Sequence, residues 1–267
     1  MTAAEFFLGT HEPSWLASCT VPLFVSDRRL RRLRRLPRGR CRWALDSGGF
    51  TELATFGTWD NGPTPAEYVD RVRRYRDEIG GLAWAAPQDW MCEPWVVAKT
   101  GLSVAEHQRR TVENYLTLRA LAPDLPFVPV VQGWDIADYP RCVALYAAAG
   151  VDVTAAPVVG LGSVCRRQAT RQAEEIVNVL HAMGVTRLHG FGIKILGLRR
   201  YAHRLNSADS MAWSVRARHV SPLPGCRHAS CANCRRFASN WRDQVVAGMP
   251  TYQQLSLFDH TDSEVAG

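Results

Sequence analysis

Trp43-Ala44-Leu45-Asp46-Ser47-Gly48-Gly49-Phe50 runs from three apolar residues straight onto a carboxylate and then onto a glycine pair. The apolar triplet is too short for a helix and reads as a buried strand. The glycines that follow read as a turn out of it. Working outward, seven more short apolar runs can be nominated as strands: 5–8, 23–25, 82–86, 127–131, 152–155, 188–191 and 206–208. Helical patterns separate most of them. Thr64, Pro65 and Glu67 form a capping box with proline at the first helical position, and Val69, Val72, Tyr75 and Ile79 then recur at helical spacing. Ser103 and Glu106 repeat the capping signature before a helix to about residue 121. Further helices are expected over 141–149, stopped by Gly150, and over 167–183 and 195–205. Eight strands alternating with helices predict an α/β chain folded as a (β/α)8 TIM-like barrel, with a doubly wound open sheet as the alternative.

The 267 residues carry a net charge of +7, 46% apolar and 21% charged residues, an ordinary globular composition. The longest nearly unbroken apolar stretch, 143–151, is far below the roughly 18 residues that suggest a membrane span. The opening MTAAEFF places no basic segment before an apolar core, so no secretory signal is expected. These features predict a cytoplasmic protein without a membrane partner. Five of the eight cysteines are scattered, whereas Cys226, Cys231 and Cys234 sit within nine residues with His228 among them. In a reducing compartment that cluster reads as a metal site before it reads as a disulfide.

Polar residues fall at the ends of the expected strands: Asp46, Asp89, Gln132 with Gly133, Gly160-Leu161-Gly162, Gly190-Phe191-Gly192 and Asp209. In a barrel these ends share the C-terminal rim, where such folds place their chemistry. Singly, an aspartate after a strand often caps a helix and a glycine pair often only turns the chain. Jointly, three carboxylates suit displacement at a sugar carbon: a nucleophile, a proton carrier and a hydrogen-bond acceptor for the substrate. Glycines let a flat ligand approach the backbone.

Together these residues resemble the tRNA-guanine transglycosylase superfamily, which exchanges a guanine in a nucleic acid for a 7-deazaguanine. The DSGGF stretch at 46–50 resembles its most recognisable motif. The Asp89 segment, Val-Gln-Gly at 131–133, Gly-Leu-Gly at 160–162, His-Gly-Phe-Gly at 189–192, Asp209 and the cysteine cluster follow in the family's order. The resemblance implies that Asp209 is the nucleophile at the anomeric carbon and that Asp46 is the general acid/base. It implies base binding by Asp89, Ser47, Phe50, Gln132, Gly160, Leu161, Gly162, His189 and Gly190, with Phe50 and His189 on the two faces of the ring. The target base would have to leave its stack.

The family's zinc motif is Cys-x-Cys-x2-Cys with a distant histidine; here it reads Cys226-x-His228-x2-Cys231-x2-Cys234. Four such ligands would close a tetrahedral, structural Zn2+ site, with either His228 or the farther His260 completing it. The expected organisation is a catalytic barrel over 1–220, a zinc-binding element and closing helix over 221–247, and a flexible tail over 248–267.

The chain is short for the tRNA-modifying enzymes and is more similar to the DNA-acting 7-deazaguanine transglycosylase branch. DNA is therefore the expected partner, with tRNA the alternative. A non-catalytic, zinc-stabilised nucleic-acid binding protein is a third reading. Nine arginines lie between residues 28 and 42. They read either as the solvated face of a helix that packs Leu30, Leu33 and Leu36, or as a phosphate-contacting edge using Arg31, Arg32, Arg34 and Arg35. In the tail, Gln254, Leu255, Leu257 and Phe258 resemble a bacterial sliding-clamp binding peptide; the alternative is that they dock on the protein's own barrel.

Overall fold

A computed structural model describes residues 4–249. The tail residues Gln254, Leu255, Leu257 and Phe258, and the alternative zinc ligand His260, lie outside the described residues. Eight parallel strands form one sheet: β1 Glu5–Thr10, β2 Leu23–Ser26, β3 Trp43–Asp46, β4 Leu82–Ala85, β5 Val130–Val131, β6 Val159–Leu161, β7 Leu188–Gly190 and β8 Ser207–Ser210. Their order is β4-β3-β2-β1-β8-β7-β6-β5. A parallel bridge between Ala85 and Phe127 brings the two outer strands together, with Ala85 N–H donating to Pro126 and Val128 N–H to Ala85. The fold is the expected (β/α)8 barrel. Among the described residues no helix is long and apolar enough to cross a membrane.

Two strands depart from expectation for local reasons. The run 127–131 yields only Val130–Val131 as regular strand because Pro126 and Pro129 have no N–H for the ladder. The run 152–155 is not strand at all. The Asp152 carboxylate accepts from the Thr154 N–H at 2.8 Å and its hydroxyl at 2.6 Å, a turn that competes with extended backbone. The sixth strand is Val159–Leu161, after Pro157. Gly160 and Leu161 are therefore strand residues, with only Gly162 beyond the strand.

The capped helices form as read. Helix Pro65–Ile79 has both halves of its capping box, and the Ser103 hydroxyl caps helix Val104–Leu121. The arginine segment does not continue as a helix. Only Asp27–Leu30 is helical, and the Arg74 guanidinium then donates to the carbonyls of Leu33 and Arg34 at 3.3 and 2.8 Å, which are thereby used outside any helix.

Side chains alternate between two layers, as a strand's period of two requires. Leu8, Leu23, Val25, Leu45, Leu161 and Leu188 belong to the core between strands and helices. Phe7, Ala44, Trp84, Val128 and Val158 form a separate core inside the barrel, with Phe24 and Phe191 packed on it. That inner plug closes the barrel beneath the rim. Helix Arg235–Ala247 packs on β1, with the Trp241 ring 6.0 Å from that of Phe6.

Candidate active site

Above the inner plug, a cavity of 590 Å³ opens at the C-terminal ends of the strands. Its walls bring together Asp46, Asp89, Asp209, Phe50, Gln132 and Gly162 from the expected set. Each comes from a different point on the rim: the end of β3, the loop after β4, the end of β8, the helix after β3, and the residues just beyond β5 and β6.

Asp209 is almost fully buried at 6% exposure. Its Oδ1 accepts the Gly192 N–H at 2.9 Å and faces His189 Nε2 at 3.3 Å. Against an ionised Asp209, which only accepts, Nε2 of His189 would be the nitrogen that donates. His189 Nδ1 lies 2.8 Å from the Ser207 hydroxyl, which fixes the other edge of the ring. Asp46 accepts from the Gly48 N–H at 3.1 Å. Gly48 has φ +87°, which a residue with a side chain rarely adopts, so the turn that delivers this bond needs glycine. Burial pushes the Asp46 pKa up; the Gly48 N–H and the Ser26 hydroxyl oppose the rise, and the neighbouring Asp209 and Asp27 carboxylates add to it.

Asp89 accepts from the Gln132 amide. Burial, and then the charge of Asp46, raise its pKa to about 7 against the pull of Gln132. Gln132 is itself buried, and its side chain lies across Gly162, where any Cβ would stand 2.4 Å from it. Its Oε1 is 2.8 Å from the Ser163 hydroxyl, which is also 2.9 Å from Glu93 Oε2 and accepts the Cys92 N–H at 2.7 Å. One hydroxyl hydrogen cannot serve both acceptors. Burial raises the Glu93 pKa, and a protonated Glu93 can donate to Ser163 while Ser163 donates to Gln132. Ser163 holds this place at φ +55°, the one non-glycine residue with positive φ among the described residues.

Phe50 stands at the mouth, 44% exposed. The Arg166 guanidinium sits 5.5 Å from its ring centroid and 4.7 Å from that of Trp95.

Five expected base contacts are not in the cavity wall. Leu161 and Gly190 face the outer layer: Leu161 packs in the outer core, and Gly190 lies against Ile193 and Leu205. Gly160 sits one layer down, beneath the Phe191 ring. Ser47 is buried, its hydroxyl without a hydrogen-bond partner. His189 is also one layer down, edge-on to Trp84 at 4.6 Å and Phe191 at 5.0 Å, and fully buried. It therefore touches Asp209 from below and presents no face for stacking. Conversely, Glu93, Ser163, Cys165, Met91 and His11 line the cavity although the sequence did not single them out.

The arginine segment divides. Arg28 hydrogen-bonds the buried Glu52, and Arg31 lies 3.7 Å from Glu52 and 3.9 Å from Asp27. Arg29 and Arg32 line the cavity. Arg34 and Arg35 are exposed outside it.

The ligand atoms of Cys226, His228, Cys231 and Cys234 all lie within 4.8 Å of one another. The Cys226 sulfur is 3.8 Å from that of Cys231 and 4.0 Å from that of Cys234. A tetrahedral zinc with bonds of about 2.3 Å to sulfur separates its sulfurs by about 3.8 Å. The cluster could therefore hold a metal ion, and His228 supplies the fourth donor.

The family model DpdA, DeoxyPurine in DNA protein A, matches residues 2–262. No curated protein gives a significant match.

Proposed function

This chain belongs to the DpdA family, and from that premise we propose that it exchanges guanine in DNA for a 7-deazaguanine base such as 7-cyano-7-deazaguanine. The observation that carries the reading is the convergence of Asp46, Asp89 and Asp209, in unlike environments, on one cavity. Carboxylates held in such unlike surroundings can take different roles.

Asp209, braced by the Gly192 N–H and His189, attacks C1′ of the target nucleotide. The new ester bond forms as the C1′–N9 bond breaks, and the electron pair leaves with guanine. Asp46, whose burial favours the protonated acid, gives guanine a proton. The incoming base returns a proton to Asp46 and attacks C1′ through N9, releasing Asp209 with net retention. Asp89 accepts hydrogen bonds from the ring N–H and amino group of the base, Gln132 and the backbone at Gly162 read another edge, and Phe50 stacks on the ring. The target nucleotide reaches this depth only if flipped out of its duplex or taken from a single strand.

Cys226, His228, Cys231 and Cys234 would hold a Zn2+ ion whose closed tetrahedral shell supplies folding energy and no open position for chemistry.

The test is base exchange with labelled 7-cyano-7-deazaguanine, offered to duplex DNA and separately to unmodified tRNA. Each is run with wild type and Asp209→Asn. Label in DNA, lost in the variant together with the covalent adduct, is expected. Label in tRNA alone would overturn the substrate, and identical behaviour of the two proteins would overturn the chemistry.

A further inference from the structure

The cavity that gathers Asp46, Asp89, Glu93 and Asp209 is also walled by Arg28, Arg29 and Arg32 and by His11. These cations are not equivalent. The Arg28 guanidinium is engaged by the buried Glu52, and Arg31 beside it is shared between Glu52 and Asp27. No carboxylate pairs with Arg29 or Arg32 among the described residues. Their forks stay open on the wall of the same cavity that holds the carboxylate proposed as nucleophile.

Electrostatics makes that placement consequential. A phosphodiester brought to a pocket lined by carboxylates is repelled unless cations stand between them, and guanidinium groups match phosphate oxygens two at a time. His11 continues the same wall at the end of β1, next to Thr10 and near Met211 beyond β8. Burial, and next Arg29 and then Arg218, hold its pKa below the ordinary histidine value. Its ring is thus a neutral hydrogen-bonding group flanked by two guanidinium charges. A strand backbone laid along this wall would meet Arg29, Arg32 and His11 while one of its bases enters the cavity.

We infer that Arg29 and Arg32, with His11 beside them, form a phosphodiester subsite that grips the DNA strand next to the extruded nucleotide. This rests on the reading of DNA as the substrate. It reassigns the grip: Arg31 serves the Glu52 and Asp27 carboxylates, and the backbone contact falls to the cavity-wall pair.

The experiment measures equilibrium binding of a fluorescent duplex to full-length protein carrying Asp209→Asn, so that no exchange occurs. Arg29→Gln/Arg32→Gln is compared with Arg73→Gln/Arg109→Gln, which removes the same charge from ion-paired arginines on the outer helices. Thermal unfolding of each variant establishes that it is folded. Losing two phosphate contacts should flatten the slope of log affinity against log salt by about 1.8. The affinity ratio of parent to variant would then shrink about 12-fold between about 50 and 200 mM salt. The control should keep the parental slope.

An unchanged slope in folded Arg29→Gln/Arg32→Gln, an equal flattening in the control, or no DNA binding by the parent overturns the subsite. Base exchange by the wild type is a separate readout. Its failure beside a flattened slope would sink the transglycosylase reading and leave the subsite standing.

Discussion

Replacing Gly162 with alanine adds one carbon where the structure has no room for it. The new Cβ would stand 2.4 Å from Cδ, Nε2 and Oε1 of Gln132, against about 3.5–4.0 Å for an ordinary contact. The backbone is no obstacle, because Gly162 is not among the glycines with positive φ. Gln132 must therefore move, and it is held at both ends, by Asp89 and by Ser163. Losing a bond to a charged group costs about 1.5–3 kcal/mol and losing a neutral one about 1 kcal/mol. A total of roughly 2.5–4 kcal/mol corresponds to a loss of about 70- to 900-fold in kcat/KM for base exchange, if Gln132 holds the base and Asp89 in place.

The assay is kcat/KM for labelled-base exchange in Gly162→Ala, Gln132→Ala and the double variant. If Gly162 matters only as space for Gln132, the double variant matches Gln132→Ala, and the second substitution costs nothing further. Its stability should also recover part of the roughly 1–3 kcal/mol that overpacking costs Gly162→Ala. Wild-type exchange by Gly162→Ala, or simple additivity in the double variant, would refute the reasoning.

Asp89→Asn should separate stability from function. The wild-type carboxyl has its folded pKa raised to about 7 by burial, so between about pH 4 and pH 7 the folded state binds more protons than the unfolded one and stability falls as pH rises. The variant should lose that part of the slope in chemical denaturation and be the more stable protein at pH 8, yet bind the base more weakly there. His189→Leu removes one of two donors to Asp209 Oδ1. It should lower kcat by about 10-fold or more with little change in KM, and His189→Gln, which keeps a donor, should recover part of the loss; unchanged kcat in the leucine variant would rule the contact out. Cys231→Ala should abolish bound zinc in elemental analysis and lower the melting temperature; a variant that melts like wild type would exclude a structural metal.

Local chemistry was readable in the chain and long-range register was not. The start of helix Pro65–Ile79 could be placed to the residue because Thr64, Pro65 and Glu67 specify it through contacts three residues apart. The sixth strand was misplaced because Asp152 and Thr154 trade hydrogen bonds locally, a competition that apolar patterning does not register. The metal cluster was legible because its four ligands lie within nine residues.

The site residues show how the same limit acts on function. Motif order could nominate Gly160, Leu161, Gly162, His189 and Gly190 together, but a strand with a period of two can aim only alternate residues inward, and on β6 and β7 only those past the last ladder pair between them reach the cavity. Gly162 meets both conditions; Leu161 and Gly190 fail the first, and Gly160 and His189 the second. Failing the second condition gives His189 its place beneath Asp209, where its Nε2 is aimed at the carboxylate rather than a ring face at the base. Ser163 and Glu93 lay outside any motif because their relation is tertiary, two residues seventy positions apart meeting at one hydroxyl. That hydroxyl holds Gln132 Oε1, Gln132 in turn holds Asp89, and Asp89 has a pKa close to neutrality. A small change anywhere in that chain should therefore surface first in the pH dependence of base binding, and only afterwards in the stability of the barrel.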